Sequence, residues 1–431
     1  MFSVPRYALV SVLALTIATG AAAQGRGATP EQTVQKLVAS APFKAAVAKL
    51  DADHARTVED TITLTEIPAP PFKEEARAKA YMEMLKAHGL SDVEMDAEGN
   101  VMGLRRGTGP AGGKVVVLAA HLDTVFPEGT NVKVRREGTK LHAPGVGDDT
   151  HSLAVLLAYV RALDAAKIKT KRDILFVGNV GEEGPGDLRG VKFIFNKGKY
   201  KDRVHAFFSM DGTSAERVTF GAVGSKRYRV TFNGPGGHSY GAYGTVNPMA
   251  AMGTTVVEMN KLTTPAKPRT TYATSVVGGG TSVNSIPEAI WLEVDMRSES
   301  KEELDKLDGK FLGIVKDAVA AENKARNTRF GQISADVKMI GERPTGATRE
   351  DAEIVRATTA AVKAAGYTPI LGASSTDSNI PISLGIPAVT IGSGGTGGRA
   401  HAPDEWIDVE KGPSVRGQAV GLAAVLAMAG V

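Results

Sequence analysis

Two imidazoles and several carboxylates stand where the chain turns from apolar to polar. His121 follows the run "KVVVLAA", with Asp123 two positions later. Glu182 and Glu183 follow "LFVGNVG", Asp211 follows "AFFSM", and His401 follows "AVTIGSGGTGGRA". Asp148, in "GVGDDT", opens the helical stretch behind the first of these runs. Singly, each is ordinary: a lone His near a strand end is more often structural, and an adjacent Glu pair is more often a solvated surface. Gathered at one edge, two imidazoles and three or four carboxylates would repel and desolvate one another unless cations neutralised them. Imidazole mixed with carboxylate is the ligand set of zinc and its first-row neighbours, whereas calcium and magnesium sites are built from oxygens. The ligands are too many for one tetrahedral ion; two ions about 3.5 to 4 Å apart, bridged by one carboxylate and one water, would use them all. Residues two apart in an extended segment face the same way, so Asp123 is expected to hydrogen-bond the His121 nitrogen turned away from the metal.

For these residues to meet, the apolar runs must lie side by side. Residues 114–120, 173–180 and 205–210 are short apolar runs bounded by polar residues or Gly, as buried strands are. Between the first two, Leu153, Leu156, Leu157, Val160 and Leu163 form one helical stripe, with Asp149 or Thr150 as N-cap. Residues 30–50 and 70–89 also have helical periodicity. Alternating strands and helices imply a parallel sheet covered on both faces, with ligands bound beyond the carboxyl ends of its strands. From about Gly221 the texture changes: "KRYRVTFNG", "TTYATSVVGG" and "AIWLEVDMR" alternate with the two-residue period of half-exposed antiparallel strands, and helices are expected near 248–262 and 301–323. The first texture then returns, with a helix near 350–365, a strand over 386–392 and a final helix after Gly412. The expected fold is α/β: a mixed, largely parallel sheet with helices on both faces (residues 24–221 and 336–431), plus an inserted α+β domain over residues 222–335.

Composition excludes several classes. With 431 residues, 42% hydrophobic and 23% charged, the chain is expected to be globular and of two domains. Its first residues carry Arg6, an apolar run from Ala8 to Ala18, then Ala21 and Ala23 in the small-x-small pattern of a signal-peptidase site. Residues 1–23 are therefore expected to be an export leader, which places the mature protein in the periplasm or outside the cell. The apolar run is shorter than the ~20 residues that span a bilayer, so no stable membrane span is expected after leader removal. The absence of cysteine rules out disulfides and thiol catalysis and suits an oxidising compartment. A formal net charge of +4, without a run of five like charges, gives no case for a nucleic-acid partner.

The motifs "HLDTV", "GVGDDT", "GEEG", "MDGT", "GPGGHS", "NSIP", "DMR", "SSTDSN" and "RAHAPDE" occur in the order found in the M20 family of zinc metallopeptidases, and the chain resembles that family, peptidase T and glutamate carboxypeptidases included, over nearly its whole mature length. The resemblance implies a zinc-exopeptidase-like catalytic domain, with the inserted domain as a lid, and two Zn2+ ions, with Co2+ or Mn2+ as alternatives. It implies that His121 and Asp211 bind one ion, that Glu183 and His401 bind the other, and that Asp148 bridges them. Glu182 would be the general base that takes a proton from the bridging water and returns it to the leaving nitrogen, in a site where two ions lower the water's pKa to about 7. His238 matches a lid histidine that stabilises the oxyanion, Asn284 a substrate contact, and Arg297 a partner for a substrate carboxylate, against the plainer reading of a surface salt bridge. Homodimers through the lid occur among relatives.

Two departures shape the reading. The bridging Asp is usually followed, one residue later, by Lys and Gly. Here Asp148 and Asp149 lead into Thr150, His151 and Ser152, which keeps Asp149 as an alternative bridge and His151 as an extra site residue or a first-turn helix residue. At position 211 an Asp is typical of aminopeptidases and dipeptidases, a Glu of carpoxypeptidases and deacylases, so this chain leans toward short peptides with a free amino end. The alternatives are an N-acyl-amino-acid amidohydrolase or a carboxypeptidase of the same family, and, from another class, an exported solute-binding protein. Retention of both Glu182 and Glu183 argues against the last. The two G-x-G-x-x-G stretches, in residues 107–113 and 392–398, lack the strand-then-helix context of a dinucleotide site, and "SSTDSN" lacks the surroundings of a serine nucleophile.

Overall fold

The computed structural model describes Met1 and residues 28–431. The expected leader, apart from Met1, lies outside the described residues. Val115–His121 and Asp173–Asn179 are buried along their whole length, which explains their unbroken apolar runs. They pair in parallel from Val115 opposite Asp173 to His121 opposite Asn179. Val204–Met210 pairs in parallel on the other side of Val115–His121, and Ala388–Ile391 follows it, also in parallel. Antiparallel strands complete the sheet. Val101–Arg105 and then Ser91–Met95 lie beyond Asp173–Asn179, while Arg217–Ala222 lies beyond Ala388–Ile391. The sheet is thus mixed and largely parallel at its centre.

Alternation along one strand feeds two cores. Val116, Leu118 and Ala120 pack with the helices His151–Ala165, Glu353–Ala364 and Lys411–Ala429 and with the N-terminal helices. Val115, Val117 and Ala119 face the opposite layer, where Val191, Ile194 and Phe195 of helix Arg189–Asn196 meet Ile380 and Ile382. The expected helical region 30–50 is two helices, Pro30–Ala39 and Ala41–Ala52, and a third, His54–Thr65, follows that periodicity did not indicate. In the expected 70–89 stretch only Glu75–Ala87 is α-helical. Among the described residues no helix is long and apolar enough to cross a membrane.

The inserted domain is a four-stranded antiparallel sheet with two helices on one face. Its strands run in the spatial order Thr270–Gly279, Ala289–Ser298, Gly224–Asn233, Ser334–Arg343. Val230, Phe232, Leu292, Val294 and Met296 meet Leu307, Phe311 and Val315 of helix Lys301–Ala325, with helix Pro248–Met259 alongside. The fourth strand crosses the boundary expected at residue 335. It pairs with Gly224–Asn233 from Ser334 opposite Asn233 to Arg343 opposite Ser225, so the inserted sheet extends to Arg343. Most of this edge strand is exposed, and its weak apolar alternation hides it from a pattern reading. Both connections to the larger domain therefore emerge together, next to the sheet edge where the polar residues gather.

Leu118 lies at the centre of the larger core and is fully buried. Leu118→Ala is expected to lower the unfolding free energy of the metal-free protein by about 2–5 kcal/mol, measured by urea unfolding; a loss under 1 kcal/mol would place that side chain outside a packed core.

Candidate metal centre

Each of the five expected ligands leaves a strand end or the loop beyond one. His121 is the last residue of its strand, with its ring buried. Asp211 follows Val204–Met210, and its N–H donates to the Ile391 carbonyl at 2.9 Å, which ties it to the adjacent parallel strand. Asp148 lies in the turn Val146–Thr150, where Asp148 and Asp149 have non-helical backbone angles. The helix itself starts at His151, and Thr150 occupies the cap position without a capping side-chain bond; its hydroxyl donates instead to the Gly145 carbonyl at 2.8 Å.

The geometry distinguishes Asp148 from Asp149. Asp148 Oδ1 lies 2.9 Å from His121 Nε2, while Oδ2 lies 3.1 Å from His401 Nε2. His401 Nε2 is also 2.9 Å from Glu183 Oε1. One carboxylate thus spans both imidazoles. Asp149 is fully buried, and its Oδ2 accepts the main-chain N–H of His121 at 3.1 Å, while its Oδ1 has no hydrogen-bond partner. Ligand atoms of His121, Asp148 and Glu183 lie within 4.8 Å of one another, as do those of His121, Asp149 and Asp211. Two overlapping groups of nitrogen and oxygen donors, one with an orphaned buried carboxylate oxygen, suit a pair of first-row divalent cations.

Electrostatics agree with that chemistry. Burial disfavours the charged His121 ring, but Asp148 and the carboxyls of 149 and 123 outweigh it and hold the imidazole above its ordinary pKa. His401 is pushed up to about 10 by its contacts with Asp148 and Glu183. Burial, reinforced by Asp148, raises Asp211 to about 7, and burial raises Asp149 and Glu182 well above the carboxylate range. Asp148 is held below its ordinary value because the two imidazoles overcome its burial.

Around these ligands lies a layer of groups that grip the segments bearing them. Asp123 was expected to face the His121 ring with its carboxylate. Instead its main-chain carbonyl lies 3.0 Å from His121 Nδ1, with the nearer carboxylate oxygen at 3.7 Å. The carboxylate accepts the N–H groups of Glu182 at 3.0 Å and Glu183 at 2.8 Å. The strand ends at His121, so the two-residue alternation lapses before Asp123. Arg77, fully buried, donates to the carbonyls of Ile67 at 3.0 Å and Leu122 at 2.6 Å. Asp377 accepts from the Asn179 side chain at 2.7 Å, and burial raises it to about 6. Glu405 accepts three main-chain N–H groups of residues 145–148.

On the side of the inserted domain, Arg227, Arg297 and Arg343 line a cavity of about 400 Å³ with Asp148, Glu182, Glu183, Asp211 and His401. Arg343, which the sequence reading passed over, is buried and donates to Glu182 Oε1 at 2.9 Å, to the Glu182 carbonyl, and to Ser375 Oγ at 3.1 Å. Arg227 donates to Asp295 at 2.8 Å and to the Gly184 carbonyl at 2.9 Å, so it too joins the inserted domain to the turn after Glu183. Arg297 pairs with Asp295 at 2.6 Å and is part exposed toward the cavity. His238 and Asn284 are not brought into this lining. They stand exposed beside each other, where Gly237–His238 pairs with Ser285–Ile286 and the Ser239 N–H donates to the Asn284 carbonyl at 2.9 Å.

Residues 117–417 match the model of peptidase family M20/M25/M40. Carboxypeptidase G2 of Pseudomonas sp. (strain RS-16) is 28% identical over 211 residues, 48% of this chain. That match spans about half the length of the curated relative, 49%. Aminopeptidase PepT of Bacillus cereus superposes with a TM-score of 0.68 at 20% identity, covering 87% of this chain and 98% of its own. The dipeptidase Dug1p of Saccharomyces cerevisiae gives 0.71 at 16% identity, covering 90% and 98%. Bacillus subtilis YXEP, described as a dinuclear metal-binding peptidase, gives 0.64 at 18% identity, covering 88% and 99%.

His151 offers a test of this environment. Its Nδ1 lies 3.1 Å from Thr61 Oγ1, its Nε2 has no partner, and burial, with the charge of His54 in support, pushes its pKa down to about 4. The unfolded chain, at about 6.5, holds a proton that the folded ring refuses, so stability from this group is complete above about pH 6.5 and is lost as pH falls toward 4, by about 3 kcal/mol. His151→Leu is expected to flatten that part of the fall relative to the unchanged protein, measured by denaturant melts of the metal-free protein across this range. An identical slope in both proteins would mean that the ring titrates normally.

Proposed function

The chain belongs to peptidase family M20/M25/M40, a family of metal-dependent hydrolases, and on that premise we propose that it is an exported enzyme that hydrolyses amide bonds of short peptides with a free amino end. The observation that carries the reading is the single Asp148 carboxylate spanning His121 and His401, with Glu182 and Glu183 at the same edge. His121, Asp148, Glu183, Asp211 and His401 would hold two divalent cations, zinc first and cobalt or manganese as alternatives. The bound pair would supply a Lewis-acidic centre and acidify water toward neutrality.

The protein's own groups divide the remaining work. Glu182 acts as general base and then general acid, moving one proton from the attacking water to the leaving nitrogen. Asp123 orients the turn that carries Glu182 and Glu183 by holding both main-chain N–H groups. Arg297, with Arg227 sharing Asp295 beside it, takes the substrate carboxylate on the lid wall. His238 and Asn284 contribute oxyanion and substrate contacts only where lid movement or a second copy of the chain brings them to the site, and a lid-mediated homodimer is one route. The leader signature and the lack of cysteine support an exported location.

The likeness to Carboxypeptidase G2 favours a second reading, a carboxypeptidase of the same family, and the dipeptidase and aminopeptidase likenesses favour the first. After chelation the protein is expected to lose hydrolysis of dipeptides and tripeptides and to regain it with zinc or cobalt. Cleavage of N-acetyl amino acids with no dipeptide or tripeptide turned over would overturn the first reading. Glu182→Gln is expected to reduce turnover by about 10²–10⁴-fold with metal content retained, measured by steady-state kinetics beside elemental analysis; near-normal turnover would remove Glu182 from the proton transfer.

A further inference from the structure

One buried acid near the cluster has no part in the chemistry above. Glu405 is 1% exposed, and its carboxylate faces main chain only. Oε2 accepts the N–H of Gly145 at 2.9 Å, and Oε1 accepts those of Gly147 at 2.8 Å and Asp148 at 2.9 Å. No Lys, Arg or His side chain pairs with it among the described residues. Three inward-facing amides in so short a stretch form a concavity for acceptor oxygens, and here the acceptor is a carboxyl group 257 positions further along the chain from Asp148.

The stretch that Glu405 holds has little regularity of its own. Gly145 has a φ of 77°, and Asp148 and Asp149 have φ/ψ pairs of −124°/80° and −139°/24°. The approach is close on the other side as well. A Cβ at Gly147 would fall 2.7 Å from Ile407 Cγ2 and 3.3 Å from Glu405 Oε1, so only glycine lets the turn settle onto this carboxylate. The amide of Asp148 is itself one of the three donors, so the backbone from which the bridging side chain projects is fixed at its nitrogen. The split of Asp148 between His121 at 2.9 Å and His401 at 3.1 Å depends on that placement, because a small rotation of the turn would carry one oxygen off its partner.

We propose that Glu405 is a positioning residue for the metal centre: by binding the amides of 145, 147 and 148 it sets the Asp148 carboxylate in its bridging orientation before any cation arrives. This rests on the metal-centre reading of Asp148. Because Asp148 is the shared ligand, both cations depend on Glu405. Removing a group that orients a metal ligand weakens metal binding by about 10–100-fold.

The test uses the full chain with zinc as the probe. Glu405→Gln keeps the size of the side chain and replaces one acceptor oxygen with a donor against the amides. Competition titration of zinc is expected to show both binding steps weakened by about 10–100-fold, beside thermal unfolding of the metal-free protein. A merely structural Glu405 would lower the metal-free Tm and leave the zinc affinity of the folded variant unchanged, and that result overturns the proposal. Should the variant not fold, hydrogen exchange on the unaltered protein decides. The amides of 145–148 are expected to be protected with zinc chelated away, nearly as much as with zinc bound; protection only in the presence of zinc would mean that the cation orders the turn, and the proposal fails. A protein that bound no zinc at all would instead end the metal-centre reading, while the exchange result would still report on the turn.

Discussion

Confining many carboxyl groups to one dry sheet edge is the constraint that the rest of this molecule accommodates. Asp123, Asp149, Glu182, Glu183, Asp377 and Glu405 are all buried, and Asp148 and Asp211 stand among them. Buried carboxylates are stable only where hydrogen bonds, opposite charges or protons compensate for lost water. The chain uses all three. Main-chain N–H groups serve Asp123, Asp149 and Glu405; imidazoles serve Asp148 and Glu183; a guanidinium serves Glu182; and raised proton affinity marks Asp149, Asp211 and Asp377. The chain belongs to a family of metal-dependent hydrolases, and on the reading proposed above divalent cations at the centre would supply the remaining compensation.

Hydrogen bonding arranges these acids in two layers. Those whose oxygens point at imidazoles form the inner group, and those whose oxygens accept main-chain N–H groups form the outer one. Asp123 holds the turn of Glu182 and Glu183, Asp149 holds the nitrogen of His121, and Glu405 holds the turn of Asp148. The same residue type thus does two jobs, and orientation alone separates them. Adjacent Asp148 and Asp149 show it most sharply, since one spans two rings and the other turns back to the strand.

This division explains what could be read from the sequence. His121, Asp211 and the Glu182–Glu183 pair were legible because each ends a buried apolar run, where only a few residue types are chemically useful. The strands Gly224–Asn233, Thr270–Gly279 and Ala289–Ser298 were legible through two-residue alternation. Glu405 closes the quoted motif "RAHAPDE" without receiving a role, and Arg343 went unremarked, because their partners are main-chain atoms or an acid more than 150 residues away. Asp123 was found but given the wrong atom, since alternation was carried past the point where the strand ends. His238 and Asn284 came from resemblance alone, and they lie outside the cavity lining.

The inserted domain is joined to the acid-lined sheet edge by more than its two connecting chains. Arg343 closes the fourth strand of the inserted sheet and meets both the carboxylate and the carbonyl of Glu182, while Arg227 on the neighbouring strand reaches the Gly184 carbonyl. Asp187 and Lys192 extend the contact to Glu342. The guanidinium of Arg343 opposes the burial that raises Glu182's proton affinity. The acid beside Glu183 is thus contacted from the inserted domain, at the sheet edge where the connecting strands emerge.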